Sequence, residues 1–285
     1  MSDYPYTELS RFEVDALGIH TSYYTAGQAN GRPPIILLHG TSTSGDSFRE
    51  TMHELADDYW LIAPDIPGFG FSEITVPYTF PHLIEWLAAF QAALHLPPAA
   101  VIGHSFGGML ATTYALSYPE DVDRLLLLAP AILIAQSWPE APVKIGISLG
   151  LVDVGSAVTQ KSPLVQRVIK APFHNPPLQN NTVWQRRLRD YENARASAAV
   201  IKALAGYDVR PQLRRWQKPV SLVWGKNDPV LTAANAAELT TYWPQAEKHI
   251  LPNCGHVPMI EKQPEFQQIA RQFLNRSLIT LGEAY

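Results

Sequence analysis

Three residues of this 285-residue chain have the types and order for nucleophilic chemistry: Ser105, Asp228 and His256. Ser105 sits in Gly103-His104-Ser105-Phe106-Gly107, a G-x-S-x-G pattern. The apolar run PAAVIG precedes it and the helix-like GGMLATTYALSYPE follows. Between a strand and a helix, that pattern forms a sharp turn, a nucleophile elbow, that pushes the serine hydroxyl out of the sheet in a strained backbone conformation. Side chains at Gly103 and Gly107 are expected to collide across the turn, and Gly108 lets the helix start close to the strand. The helix N-terminus then aims N–H groups and the positive end of its dipole at the serine, where an oxyanion would develop.

A neutral serine needs a base within hydrogen-bond reach. Of nine histidines, His256 in NCGHVPMIEK follows the last expected strand, so it lies at the strand C-terminal edge that Ser105 also occupies. His104 adjoins the serine but should point away from it. His39, at another strand end, is a weaker candidate. The base needs an orienting carboxylate. Asp228 follows the strand VSLVWG, and the order Ser105, Asp228, His256 is that of an elbow-type triad. Asp65 also ends a strand but sits in a glycine-rich loop, and it reads as structural. For the oxyanion, the Phe106 N–H comes with the elbow. The second donor is expected from His39-Gly40-Thr41-Ser42, with Thr41 N–H first and Ser42 N–H second.

These residues need elements to hold them. Residues 10–27 alternate around Leu17-Gly18 and read as a hairpin. PPIILLHG, YWLIAPD, PAAVIG, VDRLLLLAPA and PVSLVWGKND are continuous apolar runs, suited to strands buried on both faces of a parallel sheet. Helices are expected over 48–56 and 80–95, after the elbow, over TAANAAELTTYW and at the C-terminus. Such alternation predicts an α/β domain. From about 136 to 213 prolines cluster and strand-like runs vanish, so a mainly helical insertion is expected between a core of 1–135 and 214–285. Within it, VWQRRLRDYENARASAAVIKAL reads as one helix.

Composition sets the limits. Apolar residues make up 46% of the chain, enough for one large core. A net charge of −4 gives no reason to expect nucleic acid. One cysteine, Cys254, precludes an intrachain disulfide and reads as a small buried residue. No signal peptide or membrane span is evident, which makes a cytoplasmic protein, monomer or homodimer, the default. No metal-ligand or dinucleotide motif is present, so neither metal nor cofactor is expected.

LLHG at 37–40, PDIPGFGFS at 64–72, GHSFGG at 103–108, GKNDPV at 225–230 and GHVPMIEKQPEF at 255–266 together resemble the α/β-hydrolase superfamily, in the branch with a cap inserted after the sixth strand. The resemblance implies an eight-stranded, mostly parallel sheet flanked by helices. A serine at the elbow, where dehalogenase- and epoxide-hydrolase-like relatives carry aspartate, implies an acyl-enzyme. Carbon–carbon bond hydrolases of ring-cleavage products share the serine triad but often have a glycine-rich oxyanion loop, unlike HGTSTSG here. Proline iminopeptidase-like enzymes usually place tryptophan where Phe106 stands.

Residues 136–217 carry twelve Lys+Arg against five Asp+Glu, a net of +7. Arg186, Arg187, Arg189 and Arg195 are expected on a solvated helix face, with attraction of an anionic substrate as the sharper alternative. Ser42, Trp138, Trp184, Tyr191, Tyr207 and Val257 are the candidate pocket residues. The expected activity is hydrolysis of small carboxylic esters with an apolar part. Carbon–carbon bond hydrolysis and a non-catalytic ligand receptor on the same fold are the alternatives.

Overall fold

The computed structural model describes residues 6–29, 31–134, 163–178 and 181–276. Its strands are β1 (Arg11–Ala16), β2 (Ile19–Ala26), β3 (Ile35–Leu38), β4 (Leu61–Pro64), β5 (Ala99–His104), β6 (Val122–Leu128), β7 (Val220–Gly225) and β8 (Glu247–Leu251). They form one eight-stranded sheet in the order β1-β2-β4-β3-β5-β6-β7-β8. The first two strands pair antiparallel, as do β2 and β4, and every other pair is parallel. Leu17 and Gly18 both take positive φ, at 58° and 71°, the geometry of the tight hairpin that their position predicts.

Continuous apolar runs become strands buried on both faces: every residue of β3, β4, β5 and β7 is buried. Successive side chains alternate between two cores. Ile36 and Leu38 of β3 face one core with Phe80, Leu83 and Leu87 of α2 (Phe80–Ala93) and Leu110 of α3 (Phe106–Ser117). Ile35 and Leu37 face the other with Met52 of α1 (Arg49–Leu55) and Phe266 and Phe273 of the C-terminal helix Gln263–Leu274. The expected 48–56 helix begins instead as a 3-10 turn over Gly45–Phe48 before α1.

Between β6 and β7 lie α4 (Pro163–Lys170), α5 (Thr182–Glu192) and α6 (Ser197–Ala205). The single helix expected across this stretch is therefore two. Asn193 closes α5, and the Ala196 N–H donates to the Gly68 carbonyl at 3.0 Å, so the backbone leaves helical geometry to dock on the 65–72 loop. Val200 and Leu204 of α6 join the core above α2 and α3, while Trp184 and Leu188 of α5 pack on Ile169 of α4. After β7 come α7 (Ala234–Tyr242), α8 (Pro258–Glu261) and α9 (Gln263–Leu274). Among the described residues, no helix is long and apolar enough to cross a membrane.

Candidate active site

The turn from β5 into α3 holds Ser105 at φ 52° and ψ −115°, a left-handed-side conformation that costs about 1–3 kcal/mol in a non-glycine residue. Its main chain is fixed from both sides. The Ser105 N–H donates to Leu128 O at 2.9 Å, and its carbonyl accepts from Gly108, Met109 and Ala131. The glycines serve close approach, but not quite as expected. A Cβ on Gly103 would stand 2.6 Å from Gly107 O, while one on Gly107 would stand 2.3 Å from Leu38 O and 2.4 Å from His39 O. Gly107 is therefore required mainly by the end of β3, against which α3 must start.

Asp228 follows β7 and His256 follows β8, so both reach the C-terminal edge of the sheet. Oδ2 of Asp228 lies 2.7 Å from Nδ1 of His256. The other oxygen accepts from the N–H groups of Val230 (2.8 Å) and Leu231 (2.9 Å), which pins the carboxylate in place. Both side chains are almost wholly buried. An ionised Asp228 makes Nδ1 the protonated nitrogen and leaves Nε2 as a bare acceptor. The His256 ring stands 4.9 Å from the ring of His104, the residue bonded to Ser105.

The loop after β3 lies against the elbow: a Cβ on Gly40 would come within 3.2 Å of the Ser105 Cβ. Among the described residues, the N–H groups of Thr41, Ser42 and Phe106 donate to no protein acceptor. Phe106, as the first residue of α3, has no acceptor within the helix. Ser42, at φ 57°, turns its Oγ to Ser197 (2.9 Å) and its carbonyl to Arg187 (3.3 Å).

His39 braces this loop. Its Nε2 accepts from Ile66 N–H at 2.9 Å, so its Nδ1 carries the proton and donates to Gly40 O at 2.8 Å. Burial pushes its pKa down to about 4, which keeps it neutral. Asp65 accepts from Gly45 and Phe71 N–H groups and ties two loops together; burial pushes its carboxyl up to about 7. Cys254 is buried, which pushes its thiol up to about 12.

The expectation of a solvated arginine face is overturned for two of its members. Arg186 and Arg187 are buried. Arg186 donates to Glu50 at 2.6 Å. Arg187 lies 3.5 Å from Asp190, which accepts from Ser44 at 2.6 Å. Arg189 and Arg195 stay exposed, Arg189 with about half its side chain in solvent, 3.8 Å from Asp46. The reason is tertiary: the polar side of α5 docks on the loop and helix that follow β3, so its charges find buried partners instead of water. Arg195 reaches Ser72 O across the same junction.

Of the pocket candidates, Trp184 is buried with Ile169 and Leu188, and Tyr191 packs on that cluster. Tyr207 stacks on Phe80 at 4.7 Å, and Phe80 in turn meets the Phe106 ring at 5.8 Å. Val257 is buried beside His256. Trp138 lies outside the described residues. Sequence reasoning passed over Glu261, whose carboxylate accepts from Gly255, His174 and Asn175 N–H groups and so ties the His256 loop to the insertion. Its place in the GHVPMIEK segment was the available signal.

Comparisons with known proteins identify the fold and the family. A family model described as alpha/beta hydrolase fold matches residues 33–263. The chain is 26% identical over 280 residues to 2-hydroxy-6-oxo-2,4-heptadienoate hydrolase of Pseudomonas putida, covering 92% of this chain and 95% of that protein. It is 26% identical over 250 residues to a pimeloyl-(acyl-carrier protein) methyl ester esterase of Aeromonas hydrophila, covering 85% and 95%. An esterase structure from Exiguobacterium antarcticum superposes with a TM-score of 0.80 at 18% identity, over 93% of this chain and 99% of that one, a likeness of fold.

Proposed function

The chain belongs to the alpha/beta hydrolase fold family and is a hydrolase; from that premise we propose that it cleaves small carboxylic esters through an acyl-enzyme on Ser105. The observation that carries this reading is the 2.7 Å contact of Asp228 with His256 Nδ1, which leaves Nε2 free as a base at the sheet edge that the strained elbow serine also occupies. Nε2 takes the Ser105 proton as Oγ bonds to the ester carbonyl carbon. The carbonyl π electrons move onto oxygen, which accepts from the N–H groups of Phe106 and of Thr41 or Ser42. Each such donor contributes ~3 kcal/mol to transition-state stabilisation. Collapse breaks the carbon–alkoxy bond, and the imidazolium returns its proton to the departing alcohol. Water repeats the sequence, gives the acid and frees Ser105. Helices α4, α5 and α6 of the insertion serve as the cap over this site, and the Phe106-Phe80-Tyr207 stack supplies an apolar wall.

A second reading is favoured by one observation. The guanidinium of Arg187 is buried beside the oxyanion loop, and its Nε donates to no partner. A substrate carboxylate would satisfy that donor, as would suit either an anionic ester or a ring-cleavage diketo acid. The test is turnover of a p-nitrophenyl ester series, neutral and carboxylate-terminated, by wild type and Arg187→Met. Ester turnover that Ser105→Ala abolishes supports the main reading. Selective loss of the carboxylate-terminated substrates in Arg187→Met supports the anionic one, and equal loss on both substrate types contradicts it.

A further inference from the structure

His104 is placed to do more than fill space behind the elbow. It is 2% exposed, and its Nε2 lies 2.8 Å from the main-chain carbonyl of His256. A carbonyl can only accept, so Nε2 carries the proton and Nδ1 is a bare lone pair. That Nδ1 has no partner in its buried position, and the Gly40 backbone is packed so close that a Cβ there would stand 2.7 Å from it. An unpartnered buried polar atom costs about 1–3 kcal/mol. An apolar side chain of this size would avoid that cost and give up only the contact to His256. Three fixed points then hold the base: Nδ1 on Asp228, the His256 N–H on Pro172 O at 2.7 Å, and the His256 carbonyl on His104. The third differs from the others. His104 and Ser105 share a peptide bond, so the donor that seats the base and the hydroxyl it must reach are set by the same strained turn.

We propose that His104 is a positioning residue, which registers His256 against Ser105 through its Nε2–H bond to the His256 carbonyl. The inference rests on the serine-hydrolase reading. It also gives the histidine that precedes the elbow serine a task of its own.

The test compares wild type, His104→Leu and His104→Gln by three measurements: the labelling rate of Ser105 with a fluorophosphonate, kcat and KM on one p-nitrophenyl ester, and Tm. Glutamine keeps an N–H donor; leucine has none. The expected result is a folded H104L whose labelling rate and kcat fall on the order of 100-fold, as a misplacement near 1 Å gives. KM stays near wild type, and H104Q recovers most of the loss. A folded H104L that labels and turns over within twofold of wild type overturns the proposal. Should H104L fail to fold, H104Q carries the test: near-wild-type labelling supports the donor role, and a folded H104Q slowed 100-fold overturns it. A wild-type chain that never labels at Ser105 overturns the hydrolase mechanism itself, a separate result from equal labelling of all three.

Discussion

Histidine is used in three ways around the elbow, and surroundings rather than residue type decide which. His256 keeps one nitrogen on Asp228 and the other bare. His39 is sealed in with both nitrogens engaged, and burial pushes its pKa down to about 4. An unfolded histidine titrates near ~6.5, so between pH 6.5 and 4 the unfolded chain binds a proton that the folded chain refuses. The stability held by His39 is therefore complete above about pH 6.5 and lost toward pH 4, by about 3 kcal/mol. Replacing His39 with Asn should flatten that part of the pH slope in urea unfolding at pH 7 and pH 5. An unchanged slope would contradict the assignment of His39 as a buried neutral brace. His104 shifts the same way, chiefly through burial, so some acid sensitivity should survive in the variant. The pairing of Asp228 with His256 was legible from chain order and strand ends. The separate task of His104 was not, because its partner is a backbone carbonyl 152 residues away.

Elements were legible where one periodicity governed them. The buried strands announce themselves as apolar runs, and the hairpin by Leu17-Gly18. Helix α5 is where local reasoning failed twice, over its length and over its polar face. Its end is set by Ala196 docking on Gly68, and its arginines are buried by Glu50, Asp190 and Ser42. Apart from the Arg187–Asp190 pair, three residues apart on the helix, none of those contacts leaves a trace in the local sequence. Such burial has a measurable consequence. Truncation of Arg186 to Ala removes the 2.6 Å partner of the fully buried Glu50. Loss of one member of a buried pair costs about 3–5 kcal/mol. Thermal or urea unfolding of Arg186→Ala should show that drop, whereas Arg189→Ala, half in solvent, should change stability by less than about 1 kcal/mol. Equal effects of the two substitutions would show that the α5 junction is not a buried anchor.

On the scale of the whole molecule, the sheet brings Ser105, Asp228 and His256 to one edge by topology. Strands β5, β7 and β8 deliver their C-terminal ends to one edge, and the loop after β3 lies against the elbow there. The core was readable because its motifs run in order along the chain. The insertion matched no pattern in the sequence; in the proposed reading it is the part that decides which ester fits. It holds the loop and helix after β3 through Ser42, Ser44 and Glu50, and in the same reading that hold couples substrate selection to the oxyanion donors. The central claim is that an ester's acyl group passes through Ser105. Its most direct test is peptide mass spectrometry on wild-type protein quenched during turnover of a p-nitrophenyl ester. The account predicts the acyl mass on Ser105 and no ester hydrolysis by Ser105→Ala. Sustained ester turnover with Ser105 unmodified, or full activity in Ser105→Ala, would contradict it.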